Sequence, residues 1–306
     1  MKSFTNSKEQ LTPSGLLPAS ELQKLMELLQ LAQPLRLQTA GLIEQEPARL
    51  TALLEKVQNS APTAYQPGGP GDDFSCLEQE DDLTRLAIVL LRACMARKAY
   101  QKLGIPDSVY IQTMSDIRIW CENNQNKGLK NAGWLKNHVS LQLFRLGRLQ
   151  FQFYRCPETP PSRTSLAYVT GPQTLYVHIP QGEPLLLCDC LASFQEAERF
   201  FALYFPVWEY RYYFCESWLL YHHNRDFMKP GCNILQFCDL FDHWFSASDP
   251  AQALERIFGL KDETILRTAI RDYPENTSLQ KRAKAWLLAG NCLGSGSGSI
   301  DRRRFR

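Results

Sequence analysis

A helical first half followed by a layered domain of strands and helices, α/β or α+β, is what the sequence predicts. Three observations carry it. Apolar residues recur at helical spacing through most of the first 146 positions. Beyond Gly147 the spacing drops to two: Leu149, Phe151 and Phe153 alternate with Gln150 and Gln152, as in a half-buried strand. From there on, turn signals recur at strand intervals with helical patterns interposed. The 306 residues leave room for about two domains.

In chain order, Ser20 and Gln23 read as a capping box ahead of Leu22, Leu25, Met26, Leu28 and Leu29, and a second helix is expected over 39–59. SAPTAYQPGGPGDD, residues 60–73, is rich in Gly and Pro and reads as a loop, with the flexible segment extending over 60–76. Leu83, Leu86, Ala87, Leu90, Leu91 and Cys94 form a stripe that ends at Gly104, with Pro106 beyond. Asp107 reads as the cap of a helix carrying Met114, Ile117 and Trp120 inward. In GWLKNHVSLQLFRL, the steps from Leu135 through Val139 and Leu143 to Leu146 are four, four and three, which predicts a further helix closed by Gly147.

In the second half, strands are expected over 148–155, 166–169, 174–179, 210–220 and 233–241, with turns at PETPPSRT and Gly171-Pro172. Ser193 and Glu196 read as a capping box that opens a helix carrying Phe194, Ala197, Phe201 and Tyr204. Asp249-Pro250 opens a short helix closed by Gly259, and Thr277 with Gln280 opens the last one, closed by Gly290. GSGSGSI, residues 294–300, has the look of a flexible linker. The basic hexapeptide DRRRFR, 301–306, reads most simply as a solvated, mobile tail, and alternatively as a contact for an acidic partner.

Composition narrows the function classes. Hydrophobic residues at 44% and charged residues at 22% suit a soluble globular protein. With 34 Lys and Arg against 32 Asp and Glu, no global field argues for nucleic acid. Ten scattered cysteines and no apolar leader suggest reduced thiols and a cytoplasmic location. Cys188 and Cys190 lack partners at zinc spacing, so no metal is expected. No apolar run is long enough to span a membrane. GxGxxG after a strand, the P-loop, GxSxG and HExxH are all absent.

Six phrases in one order then carry a resemblance: DIRIWCENN (116–124), GWLKNHVSLQLFRLGRLQF (133–151), LYVHIPQGEPL (175–185), CESWLL (215–220), NILQF (233–237) and TSLQKRAKAWLLAGNCLGSGSGSI (277–300). Together they resemble a family of bacterial acyltransferase-domain proteins, and the likeness runs from about residue 80 to residue 300. It implies an α+β fold, a helical N-terminal domain (1–146) followed by a GNAT-like mixed β-sheet domain with flanking helices (147–300), and then the basic tail. It also implies, through a similar Leu-Gly-Ser-Gly phrase that closes the family's chains, that Leu293 to Ile300 is native. In the GNAT superfamily, an acyl thioester lies in a V-shaped gap between two splayed parallel strands and passes its acyl group directly to an amine. Here VHIP stands for the strand before the gap and 210–220 for its partner. Acyl-CoA, with acetyl-CoA the usual case, is the implied co-substrate, an acyl carrier protein the other donor, and an amine-bearing small molecule or peptide the acceptor.

The residues can be weighed on this frame. His178 lies on the face opposite Leu175, Val177 and Ile179, where a neutral imidazole can take a proton from the attacking amine. A sheet histidine satisfied by a carbonyl is its plainer reading. Glu216 shares a strand face with Tyr212, Phe214 and Trp218, and a carboxylate among aromatics is expensive to bury unpaired, which makes it a candidate base. Exposure at an edge is its plainer reading. In the family a histidine often stands in the CxSWLL position, so Glu216 points to a changed acceptor or to lost activity. Ser217 completes the expected catalytic set. Cys215 is a weaker candidate as acyl-accepting nucleophile. Val177, Ile179, Gly182, Ser193, Arg145 and Arg148 are the expected thioester- and CoA-holding residues. The helix expected to start at Ser193 offers free N–H groups, and the arginines, with Arg118, offer phosphate clamps. The phosphate turn of the superfamily, Gln/Arg-x-x-Gly-x-Gly/Ala, is missing. PQGEPLLLCDCLAS supplies only Gly182. Trp120, Trp134, Trp218 and His138 read as structural, and His222-His223 as a polar turn. The reading is therefore an N-acyltransferase working by direct transfer. The alternatives are a degenerate GNAT-like module that binds an acyl or peptidic ligand without turnover and, more weakly, a partner of peptide-tailoring machinery recruited through the tail.

Overall fold

The structure, a computed structural model, describes residues 19–59, 67–68, 71–155, 172–260 and 270–305. The strand expected at 166–169 and the turn at 157–164 lie outside the described residues. The chain divides into two compact units, one of Met1–Phe153, Ile179–Gln181 and Arg199–Trp208, the other of Tyr154–His178, Gly182–Glu198 and Glu209–Arg306.

The first unit is built on helices α1 (Ala19–Leu28), α2 (Gln33–Gln45), α3 (Pro47–Asn59), α4 (Asp82–Leu103), α5 (Asp107–Met114), α6 (Asp116–Asn123) and α7 (Lys136–Val139). The single helix expected over 39–59 is two. Pro47 disfavours the α conformation at Glu46, which leaves the helix at φ −124°, and opens α3 itself. Ser20 lies inside α1, which already includes Ala19. The α4 boundaries follow sequence chemistry: the Asp81 carboxylate accepts from Leu83 N and Thr84 N, and Gly104 takes φ +73°. Its run from Leu86 to Leu91 is buried throughout, as a central helix requires. Asp107 is the first residue of α5, with Pro106 in the cap position, and the chain breaks at Ser115 before α6. Met114 and Ile117 are buried, whereas Trp120 is half-buried.

The helix expected up to Leu146 is not formed. Only Lys136–Val139 is helical. Leu141 then takes φ +57°, and β1 (Leu143–Leu146) pairs antiparallel with β2 (Leu149–Arg155) from Leu143↔Gln152 to Leu146↔Leu149. Gly147, at φ +65°, is the first residue of the two-residue hairpin turn, where glycine costs least. The four-four-three spacing omits Phe144, which is wholly buried. Its ring lies 5.0 Å from Phe200 and 5.2 Å from Phe205. Cross-strand pairing and this aromatic cluster prevail over the local period.

The second unit holds the remaining strands and helices, of which the one over 187–204 belongs to it only up to Glu198. β3 (Gln173–His178) runs parallel to β4 (Tyr212–Ser217). β6 (Ser295–Asp301) lies antiparallel between β4 and β5 (Asp242–Ala247), so the sheet is mixed. Helix α8 (Leu187–Tyr204) starts six residues before the expected cap. Ser193 is buried in its second turn, and its hydroxyl donates to Asp189 O at 2.8 Å, the back-bond of a mid-helix serine. The strand expected over 233–241 is helix α10 (Asn233–Cys238), preceded by α9 (Asn224–Phe227). β5 follows unanticipated, because an edge strand exposed over most of its length carries no alternation. α11 (Ala251–Phe258) opens one residue later than the Asp249-Pro250 reading has it, with Pro250 in the cap position and Asp249 Oδ1 accepting from Ala251 N, whereas α12 (Ser278–Leu288) opens as expected at a full Thr277/Gln280 capping box. Leu254, Ile257, Phe258, Ala283 and Leu293 share a core with Phe227 and Leu235.

The tail reading is reversed in this unit, and the linker look of GSGSGSI gives way to a buried strand. A Cβ on Gly296 would sit 2.2 Å from Leu220 O and one on Gly298 2.9 Å from Asp242 O, so only glycine lets neighbouring backbone pack there. The tail is docked through residue 305. Arg302 pairs with the buried Glu198 at 2.6 Å, beneath the Tyr210 and Tyr213 hydroxyls that donate to the same carboxylate, and Phe305 stacks on Phe194 at 4.5 Å.

Candidate active site

The geometry that matters starts with one strand, β4. On one edge its ladder with β6 runs the whole strand, from Tyr212↔Asp301 to Ser217↔Gly296. On the other edge the parallel ladder with β3 covers Thr174↔Tyr212, Leu175↔Tyr213 and Tyr176↔Phe214 and then ends, although β3 continues to His178 and β4 to Ser217. Past Tyr176 and Phe214 the two strands therefore run on outside their ladder.

Strand alternation sorts the residues where the ladder ends. Leu175 and Val177, with Tyr213 and Cys215, are buried. Tyr176 and His178 lie half-buried on the other face, with Phe214 and the exposed Glu216. That face is aromatic: Tyr154 stacks on Phe214 at 5.6 Å, Tyr176 meets Phe214 edge-on at 5.2 Å, and the His178 ring lies flat on Tyr176 at 4.3 Å. The Tyr176 hydroxyl donates to Glu216 O at 3.1 Å, just where the ladder stops.

Desolvation, and secondarily the neighbouring charge of Asp249, raises the Glu216 carboxyl above its ordinary value, the direction a base needs to work nearer neutrality. Burial likewise pushes the Tyr176 phenol well up. The Cys215 thiol is also held up by burial, which opposes the thiolate a nucleophile needs. Ser217 is buried on the face opposite Glu216, and its Oγ accepts from Leu219 N at 3.2 Å, capping the 3-10 turn Trp218–Leu220. Trp218 belongs to that turn and not to the strand.

The expected CoA-holding residues fall in different places. Val177 is next to His178 at the opening. Gly182, at φ +125°, lies in the segment between β3 and α8. The first turn of α8 carries Asp189, an acidic residue where a phosphate would want none. Ile179, Arg145 and Arg148 belong to the first unit. There the Arg145 guanidinium donates to Ser115 Oγ and Gly147 O, and the buried Arg148 donates to Pro180 O at 2.9 Å. Arg118 pairs with Glu122. His138 is wholly buried 3.1 Å from Asp116, which also accepts from Trp134 Nε1.

Residues 143–300, just over half of the chain, match the family described as GNAT-like C-terminal domain. The chain belongs to that family. Residues 20–141 match the N-acyltransferase N-terminal domain, so both halves of this GNAT-like protein carry acyltransferase family signatures. A search of curated proteins found no match. Among solved structures, an acyltransferase in complex with decanoyl-CoA and teicoplanin is 21% identical, with a TM-score of 0.72 over 96% of this chain and 90% of the other. An acyltransferase in complex with decanoyl-CoA is 22% identical, with a TM-score of 0.72 over 92% and 88%. A mutant acyltransferase in complex with octanoyl-CoA is 21% identical, with a TM-score of 0.70 over 92% and 88%. At this identity the likeness shows a shared acyltransferase fold. Among the described residues, no helix is long and apolar enough to cross a membrane.

Sequence reasoning singled out His178 and Glu216 but passed over Tyr176 and Trp244. Tyr176 had a visible signal, two positions before His178 on the same strand face. Trp244 had none, because the strand that presents it was not anticipated.

Proposed function

We propose that this GNAT-like protein transfers an acyl group from acyl-CoA to a primary amine by direct attack, in the opening between β3 and β4. The observation that carries the reading is the ladder that stops at Tyr176↔Phe214 while both strands continue. In an extended strand the N–H and C=O of one residue point to the same edge. The Glu216 carbonyl is turned toward Tyr176, so its N–H shares that edge and can polarise the thioester carbonyl.

The Glu216 carboxylate takes a proton from the ammonium. The freed nitrogen forms a bond to the thioester carbon, the tetrahedral intermediate collapses with cleavage of the C–S bond, and the CoA sulfur leaves with a proton from nitrogen. Holding the two reactants together supplies on the order of 7 to 11 kcal/mol, and the base adds ~10² to 10⁴-fold. Val177, with Gly182 between β3 and α8, lines the pantetheine path in this reading. His178 flanks the base, and Ser217 holds the 3-10 turn that ends β4. The neighbours' octanoyl and decanoyl donors favour a medium-length acyl chain on the aromatic face. The domains are read as 1–146 and 147–300, with the tail beyond.

A second reading, a module that binds without turnover, draws support from the absent phosphate-turn glycines and from Asp189 in the first turn of α8. Purified protein incubated with acyl-CoAs from acetyl to decanoyl and a panel of primary amines separates the two. CoA thiol release matched by amide product in mass spectrometry is the expected result. Acyl-CoA binding with no thiol release across the panel would leave the binder.

A further inference from the structure

We infer that a trough on the Glu216 face of the sheet, floored by Ser297 and roofed by Trp244, is the ammonium pocket for the acceptor; this rests on the transferase reading above. β6 separates β4 from β5, and its residues on this face are serines: Ser297 is in register with Glu216 on one side and Phe245 on the other, and Ser299 with Phe214 and Asp242. Small side chains thus stand between two aromatic-bearing strands. A bulge in β5 falls between His243 and Phe245, and the residue it inserts, Trp244, reaches across β6 to bring its indole 5.4 Å from Phe214.

Two observations mark the trough as a site rather than filler. The Ser297 side chain is 1% exposed, yet its Oγ has no hydrogen-bond partner among the described residues. A buried hydroxyl left this way is costly unless something else meets it. Meanwhile Trp244 and Phe245, which border it, are 39% and 46% exposed on an edge strand. Phe245 is the cross-strand partner of Ser297, and both aromatic side chains remain partly open to solvent.

The chemistry that fits is a primary ammonium. Its three N–H donors meet the Glu216 carboxylate and the Ser297 Oγ, and its charge meets the faces of Trp244 and Phe214. Ser297 keeps one N–H engaged after Glu216 removes the proton, which holds the amine in the pocket for attack.

The test uses full-length protein, benzylamine and its neutral isostere benzyl alcohol, with binding followed by NMR titration and transfer from decanoyl-CoA followed by thiol release. Benzylamine is expected to bind at least tenfold tighter than benzyl alcohol. Ser297→Ala is expected to weaken benzylamine and raise its KM about tenfold, as the loss of one charge-assisted hydrogen bond would, with decanoyl-CoA affinity unchanged and the melting temperature unchanged or raised. Trp244→Ala is expected to weaken benzylamine severalfold while leaving benzyl alcohol nearly unchanged. Amine binding that depends on Ser297 in a protein showing no transfer would keep the pocket and discard the transferase. Transfer with the same amine KM in Ser297→Ala would keep the transferase and overturn the pocket, as would equal affinity for amine and alcohol or the absence of any amine binding.

Discussion

The two edges of β4 make the most instructive contrast in the molecule. Toward β6 the strand is closed along its whole length, and toward β3 it is open after three pairs. The closed edge is antiparallel, and the glycines of the strand it pairs with admit the backbone of Leu220 and Asp242. The open edge is parallel and lined by bulky aromatics, with a tyrosine hydroxyl supplying the bond to Glu216 O where the ladder stops. The same strand thus has one fully paired edge and one that is paired only in part, and the two are separable by mutation.

The largest effect expected is at the open edge. Glu216→Gln keeps the shape but removes the base, and transfer is expected to fall about 10³-fold, or about 4 kcal/mol of barrier, with acyl-CoA binding retained. If turnover survives within tenfold, the open edge works without this carboxylate. Next comes the support of the closed edge. Arg302→Ala strands the buried Glu198 carboxylate, which is expected to cost about 3 kcal/mol in urea unfolding. A loss below about 1 kcal/mol would return the tail to the status of a solvated appendage. Gly296→Ala places a methyl against Leu220 O and is expected to cost about 2 kcal/mol, whereas Ser295→Ala, at the start of the strand, should be nearly neutral. Equal losses would mean the glycine is not required by packing. The smallest effect concerns the junction: Tyr176→Phe removes one hydrogen bond, expected to lower melting stability by about 1 kcal/mol while changing the acyl-CoA KM.

The pH profile sharpens the same contrast. A base works only when deprotonated, and the Glu216 carboxyl sits above the ordinary carboxylate value. The rate should therefore rise with pH along an acid limb displaced upward from about 4.3, the unperturbed glutamate value. Glu216→Gln should abolish that limb. A limb that persists unchanged would assign it to another group, with His178 the first to examine by His178→Asn.

Elements whose signals are local were legible in the chain. The Asp81 cap and Gly104 stop of α4, the capping box of α12 and the period-two run of β2 each follow from the chemistry of a few adjacent residues. Elements that depend on a distant partner were misread. Leu143–Leu146 scans as the end of a helix until β2 is there to pair with it, and Asn233–Cys238 scans as a strand although its apolar residues pack on a helical core. At the site, alternation along LYVHIP and CESWLL separated His178 and Glu216 from their buried neighbours. It said nothing of Ser297 or Trp244, which reach the same face only through pairing with strands far away in sequence.

What the sequence determined by itself was the order of parts, helices and then a sheet, and the identity of two candidate catalytic side chains, because periodicity and capping act within a turn or a strand. What only the tertiary structure decided was which apparently featureless segments matter. A Gly-Ser run becomes the buried neighbour of β4, and an arginine-rich end becomes the counter-ion of Glu198. Neither role is written locally, since a glycine is informative only when another backbone approaches it, and a charge only when a buried partner needs it.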